Sequence, residues 1–101
     1  MYGLKNTDLE TILEAVKKYP NINEAILFGS RAMGTHKLGS DVDIALKGDG
    51  LSGTILALSV YLNQESILPY YFDIIDYHVI DNTELIDHID RVGKSIYKKT
   101  V

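Results

Sequence analysis

The chain reads as an α+β fold, a small mixed β-sheet with helices packed on one side, with residues 1–101 forming a single domain. Three observations predict it. Apolar residues recur at helical spacing in three separated stretches. Between them lie short runs rich in β-branched and aromatic residues, too short for helices and bounded by Gly, Asn or Pro. The resulting order, helix, strand, strand, helix, strand, helix, contains no repeat or low-complexity segment.

The first helix is predicted from Leu9, Ile12, Leu13 and Val16, spaced i, i+3, i+4, i+7. Thr7-Asp8-Leu9-Glu10 has the spacing of a capping box at its start. Lys17 and Lys18 suit its last turn and Pro20 ends it. Glu24 to Phe28 follows as a buried strand, and Ser30 to Met33 can open a short helix before Gly34. Thr35 to Ser40 is polar or glycine, hence a loop. In the second strand Val42, Ile44 and Leu46 alternate with Asp41, Asp43 and Ala45, which sends one face to the core and the other outward. Lys47 to Gly50 is a turn, and residues 52–64 carry Ile55, Leu56, Leu58 and Leu62 at helical spacing. Tyr70 to Tyr77 reads as a third strand. Asn82 is placed to cap a last helix with the stripe Leu85, Ile86, Ile89, Val92, and Gly93 stands where a terminating glycine belongs. Ser95 to Tyr97 is expected as a short final strand or a surface extension.

Composition narrows the function. The formal charge is −4, the opposite of a dedicated nucleic-acid binder, so direct nucleic-acid binding is not expected. No cysteine is present, which excludes disulfides, thiolate zinc sites and a cysteine nucleophile. The first residues lack the basic-then-apolar pattern of a secretory signal, and the most apolar stretch, around residues 51–62, is too short to span a bilayer. The expected location is the cytoplasm, away from any membrane.

Chemistry concentrates between Ile26 and Leu46, where an apolar run ends in Gly29-Ser30 and ten residues intervene before Asp41-Val42-Asp43. Glycine lets backbone amides approach an anion, and a helix opening at Ser30 would add its free N–H groups and a hydroxyl. Taken alone, Gly-Ser more often marks an ordinary strand-to-helix turn. Asp41 and Asp43 share a strand face about 7 Å apart along the chain. Two anions so placed suit a hard divalent cation, whereas on an exposed strand they would merely be solvated. Asp73 is the most telling residue, because it interrupts an apolar and aromatic strand where an unpaired buried acid would be costly. It either faces water or joins Asp41 and Asp43 around a cation. Asp76, of opposite parity, is assigned to the surface. His36 and Lys37 lie in the loop between the motifs, in reach of solvent, a phosphate or an acceptor. His78 follows the third strand as a structural residue, and His88 is expected at the polar edge of the last helix.

Gly29-Ser30, then Asp41-x-Asp43, then a third strand acid in Asp73 resembles the polymerase-β-like nucleotidyltransferases. Gly29 through Gly34 and Ser40 through Ile44, with the closing Asp87 to Gly93 segment, look like their minimal single-domain branch, the MNT domains. The resemblance implies phosphate holding by Gly29 and Ser30, and two Mg2+ ions on Asp41, Asp43 and Asp73. Asp73 would also accept a proton from the attacking group. Arg31 would reach the triphosphate of ATP. Met33 departs from the pattern, since relatives frequently carry a second basic residue there.

The activity so implied is transfer of AMP from ATP to an acceptor, with release of pyrophosphate. A chain this short would take its acceptor surface from a partner or a second copy. MNT domains resembling it are typically paired with helical HEPN proteins, whose toxicity they counter. Two other readings stand beside this one: an antitoxin that acts by occlusion without turnover, and a small-molecule nucleotidyltransferase of the aminoglycoside-modifying kind with a composite site.

Overall fold

A computed structural model describes residues 1–100; Val101, the last residue of the expected domain, lies outside the described residues. The elements are α1 (Asn6–Lys17), β1 (Ile22–Phe28), α2 (Gly29–Met33), β2 (Val42–Gly48), α3 (Ser52–Val60), β3 (Phe72–Asp76), α4 (Thr83–Val92) and β4 (Lys94–Lys98). Four strands form one sheet in the order β3-β2-β1-β4. β1 runs antiparallel to both β2 and β4, while β2 and β3 are parallel, joined through α3. The mixed sheet and the α+β class are therefore as expected.

The placement of the helices differs from the expectation. α1 and α3 cover one face, where Ile12, Val16 and Leu58 meet Leu27, Val42, Ile44, Leu46 and Phe72. α4 lies on the other face, where Ile89 packs against Ile26, Phe28 and Ala45. Alternating side chains of β1 and β2 divide between these two clusters, as period-two geometry requires. The periodicity of α4 announces an apolar stripe but carries no information on which side of the sheet that stripe will find.

Local features follow from individual residues. α1 begins at Asn6, two residues earlier than a Thr7 cap would allow, and no side chain caps it. Thr7 is inside the helix, its carbonyl accepting from Thr11 Oγ1 at 3.0 Å, so the capping-box spacing is coincidental. The Asn82 cap is present: its Oδ1 accepts from the amides of Glu84 and Leu85 at 3.0 and 3.3 Å. α3 continues into a wider π-type turn, Tyr61–Glu65, closed by the Ser66 amide bonding to Tyr61 O at 2.8 Å. Inside that turn the Asn63 carboxamide bonds both backbone groups of Phe72, accepting from its N–H at 2.7 Å and donating to its carbonyl at 3.0 Å. This holds the start of β3 against the end of the helix. Gly93 ends α4 with extended rather than left-handed backbone (φ −60°, ψ 145°). It is needed for space: an added Cβ would collide with Ile89 O and the Ile26 side chain, so the chain can turn tightly from α4 into β4.

Candidate functional site

The predicted acids lie on the α4 face of the sheet. Asp43 and Ala45 share parity on β2, and Ala45 belongs to the cluster around Ile89. The parallel register sets Asp43 directly beside Asp73, and the antiparallel register sets Phe28 on the other side of Asp43. Adjacent strands lie about 4.8 Å apart, so a single row across three strands holds Phe28, Asp43 and Asp73. Gly29 and Ser30 follow Phe28 at once and open α2. The two halves of the motif, separated by ten residues in sequence, thus meet because β1 and β2 are antiparallel neighbours.

Gly29 is required here in two ways. Its φ of +75° favours glycine, and a Cβ at this position would strike Asp43 Oδ2. The turn and the acid are in close approach, which no larger residue would permit.

The electrostatics are those of an unrelieved anionic cluster. Asp43 is half-buried while Asp41 and Asp73 are exposed. Burial pushes the Asp43 carboxyl above its ordinary range, the charges of Asp73 and Asp41 push it further, and His88 draws it back. Among the described residues, no three acidic or histidine side chains converge closely enough to enclose an ion as they stand. The donor chemistry nonetheless suits magnesium, which is commonly held by one or two carboxylates and completed by substrate phosphates and water. Asp43 beside Asp73 supplies that pair, with Asp41 preceding on the same face.

Two residues stand elsewhere than expected. Arg31 does not point to a triphosphate: its side chain is turned inward and only 3% exposed. Its Nε and Nη2 donate to Ser40 O at 3.2 and 2.8 Å, and its Nη1 donates to Tyr2 O at 3.0 Å. The guanidinium also stacks on Tyr70 at 5.1 Å. Arg31 therefore fastens the loop before Asp41 to the N-terminal segment. Adjacency to Gly-Ser in sequence does not say on which side of a five-residue helix a side chain will fall.

His88, assigned to a polar edge, faces the site. Its Nε2 accepts from the Gly29 amide at 3.0 Å, and its ring meets Phe28 edge-on at 6.1 Å. The imidazole thereby holds the amide that the sequence assigns to a phosphate. A signal was present: Leu85, His88, Ile89 and Val92 form a second i, i+3, i+4, i+7 series, with His88 on the stripe. Of the remaining candidates, Asp76 caps the turn after β3, accepting from His78 N at 2.9 Å, and His78 is exposed. Met33 is exposed at the end of α2.

Comparison with known proteins places the chain. No curated protein matches it. A toxin–antitoxin complex with AMP-PNP contains a chain similar in fold, at 24% identity and a TM-score of 0.75, with 91% of this chain and 74% of that one covered. A Shewanella oneidensis complex of a tri-AMPylated HEPN toxin with an MNT antitoxin gives 20% identity and a TM-score of 0.70, covering 95% and 74%. A putative nucleotidyltransferase from Sulfolobus solfataricus gives 22% identity and 0.54, covering 90% and 77%. At these identities the likeness is one of fold. The sequence itself matches the family described as Polymerase beta, Nucleotidyltransferase over residues 10–100. With nine-tenths of its length so matched and the acids aligned across β2 and β3, the chain belongs to the polymerase β nucleotidyltransferase family.

Proposed function

We propose that this protein transfers AMP from ATP to a hydroxyl on a HEPN-type partner protein, as the antitoxin of a toxin–antitoxin pair. The observation that carries the reading is the row formed by Asp43 and Asp73 beside the Gly29-Ser30 turn. The fold likeness to a chain in a complex of an AMPylated HEPN toxin with its MNT antitoxin supports the choice of partner.

Asp41, Asp43 and Asp73 would hold two magnesium ions, which when bound supply charge neutralisation and Lewis-acid polarisation at phosphorus. The chain's own residues do the rest. Gly29 and Ser30 hold the outer phosphates, which leaves the α-phosphorus facing β2. Asp73, exposed at the sheet edge, orients the acceptor hydroxyl and takes its proton. The acceptor oxygen bonds to the α-phosphorus, the bond to the β-phosphate bridging oxygen breaks, and pyrophosphate leaves. Asp41 is exposed immediately ahead of β2. The acceptor surface comes from the partner or a second copy of this chain. In the transfer step Arg31 serves to hold the Thr35–Ser40 loop.

A second reading, neutralisation by occlusion, is favoured by one observation: the Gly29 amide is already engaged by His88. The test is incubation of the protein with a HEPN-type partner protein, magnesium and ATP labelled at the α-phosphate. Label is expected on the partner, reduced by about 10³-fold or more in Asp43→Asn. Neutralisation without label, unchanged in that variant, would replace transfer by occlusion.

A further inference from the structure

A second basin lies against the Thr35–Ser40 loop and is lined by none of the carboxylates. It is a cavity of about 650 Å³ bounded by the N-terminal segment, that loop and the entry to β3. Its ionisable liners are Lys5, Arg31, His36, Lys37 and Tyr70, and the lining residues include no carboxylate. In a chain with fourteen acids against ten Lys and Arg, such segregation is a local reversal of the overall charge.

The walls are built rather than incidental. Arg31 forms a fixed floor, held by Ser40 O and Tyr2 O and stacked on Tyr70. The loop carrying Lys37 is closed by the Lys37 amide bonding to Ser40 Oγ at 2.8 Å and the Ser40 amide bonding to Lys37 O at 3.0 Å. His36 is tucked against Gly3, whose missing Cβ leaves room for the imidazole. The His36 Nδ1 is buried with no hydrogen-bond partner among the described residues. The nearest acid engaged by a liner, Asp8, accepts from the Tyr70 hydroxyl at 2.7 Å and does not itself line the cavity. Two exposed lysines thus share the lining with a buried, hydrogen-bonded guanidinium and no carboxylate, a set that favours a compact, multiply charged oxyanion over a single carboxylate.

We propose that this cavity is a phosphate-binding site, distinct from the carboxylate row, that takes two linked phosphates. These belong either to free pyrophosphate or to a nucleotide. The proposal does not depend on the transfer activity, because the cavity shares no residue with the acids of β2 and β3 apart from the loop that joins them.

The test is a titration of the whole protein with inorganic pyrophosphate, and separately with ATP, followed by backbone amide NMR in the presence of a metal chelator. Without a divalent cation the carboxylates repel phosphate, so the two sites are read apart. Shifts are expected at Lys5, His36, Lys37 and Gly39. Lys5→Ala combined with Lys37→Ala, both exposed and therefore safe for folding, is expected to weaken binding about tenfold. Asp43→Asn is expected to leave the affinity within about twofold. Tighter binding of ATP than of pyrophosphate assigns the phosphates to a nucleotide, and equal or weaker binding assigns them to free pyrophosphate. Shifts confined to Gly29 and Ser30, or an affinity unchanged in the double variant, would overturn the site.

Discussion

The two faces of the sheet are made by the same strands and do opposite work. On the α1–α3 face, Leu27, Val42, Ile44, Leu46 and Phe72 are fully buried, and the surface is continuous hydrocarbon. On the α4 face the apolar cluster is small, Ile26, Phe28, Ala45 and Ile89, and it gives way to Asp41, Asp43 and Asp73 at one end of the strands. Neighbouring residues therefore belong to different problems. Phe72 closes the core, and Asp73 next to it carries charge to the surface. A strand buried on one side can place acids on the other, because the alternation keeps them out of the hydrocarbon core even where Asp43 is half-buried.

The comparison is broken most forcefully at that pair. Phe72→Ala is expected to lose about 3 to 5 kcal/mol in urea unfolding, through lost burial and the cavity left behind. That is a large fraction of what a domain of this size possesses. Asp73→Asn, one residue along, is expected to change stability by less than about 0.5 kcal/mol while abolishing transfer of label. If both variants unfold alike, the division of labour between the faces is wrong.

A middle-sized effect sits where α4 touches the site. His88→Ala removes the acceptor of the Gly29 amide and is expected to cost about 1 to 2 kcal/mol, with faster hydrogen exchange at Gly29. His88→Gln, which restores an acceptor at similar reach, is expected to recover most of the exchange protection. Equal exchange in the two variants would show that the ring packs on Phe28 without controlling the turn.

The smallest effect has a definite sign. Burial, then the charges of Asp73 and Asp41, raise the Asp43 carboxyl above its ordinary 3.8. The folded state therefore binds this proton more tightly than the unfolded state. The Asp43 contribution is most favourable below the ordinary value and declines as pH rises through the raised one. In the absence of metal, Asp43→Asn is expected to raise Tm slightly at neutral pH, with the difference vanishing below the ordinary carboxylate range. Added magnesium is expected to raise Tm in the native protein and to do so less in the variant. A variant less stable than the native protein at neutral pH would mean that Asp43 supports the fold rather than straining it.

Much of this arrangement was legible in the residues. Asp73 stood out because an acid in an apolar strand needs a reason, and the alternation around Asp41 and Asp43 already separated core from surface. The Asn82 cap was legible because its geometry is local. What escaped was non-local. The helical period of α4 could not report that it crosses to the face opposite α1 and α3. The Thr7-to-Glu10 spacing satisfied a capping motif, yet Asn6 had already entered the helix. Arg31 follows a phosphate turn in sequence, but tertiary packing draws its guanidinium inward to two carbonyls. His88 was judged from its immediate neighbours, while its partner lies 59 residues earlier.

One small contact governs how the molecule can be approached. β3 is an outer strand, and an outer strand ordinarily offers free amides and carbonyls to any extended peptide, including another copy of itself. The Asn63 carboxamide occupies both backbone groups of Phe72, at the end of the strand nearest the acids. It works as a one-residue plug in place of a fifth strand. Edge-to-edge stacking is blocked where it would bury the acids, and a visiting protein must come to them over the open face of the sheet rather than by zippering onto its border.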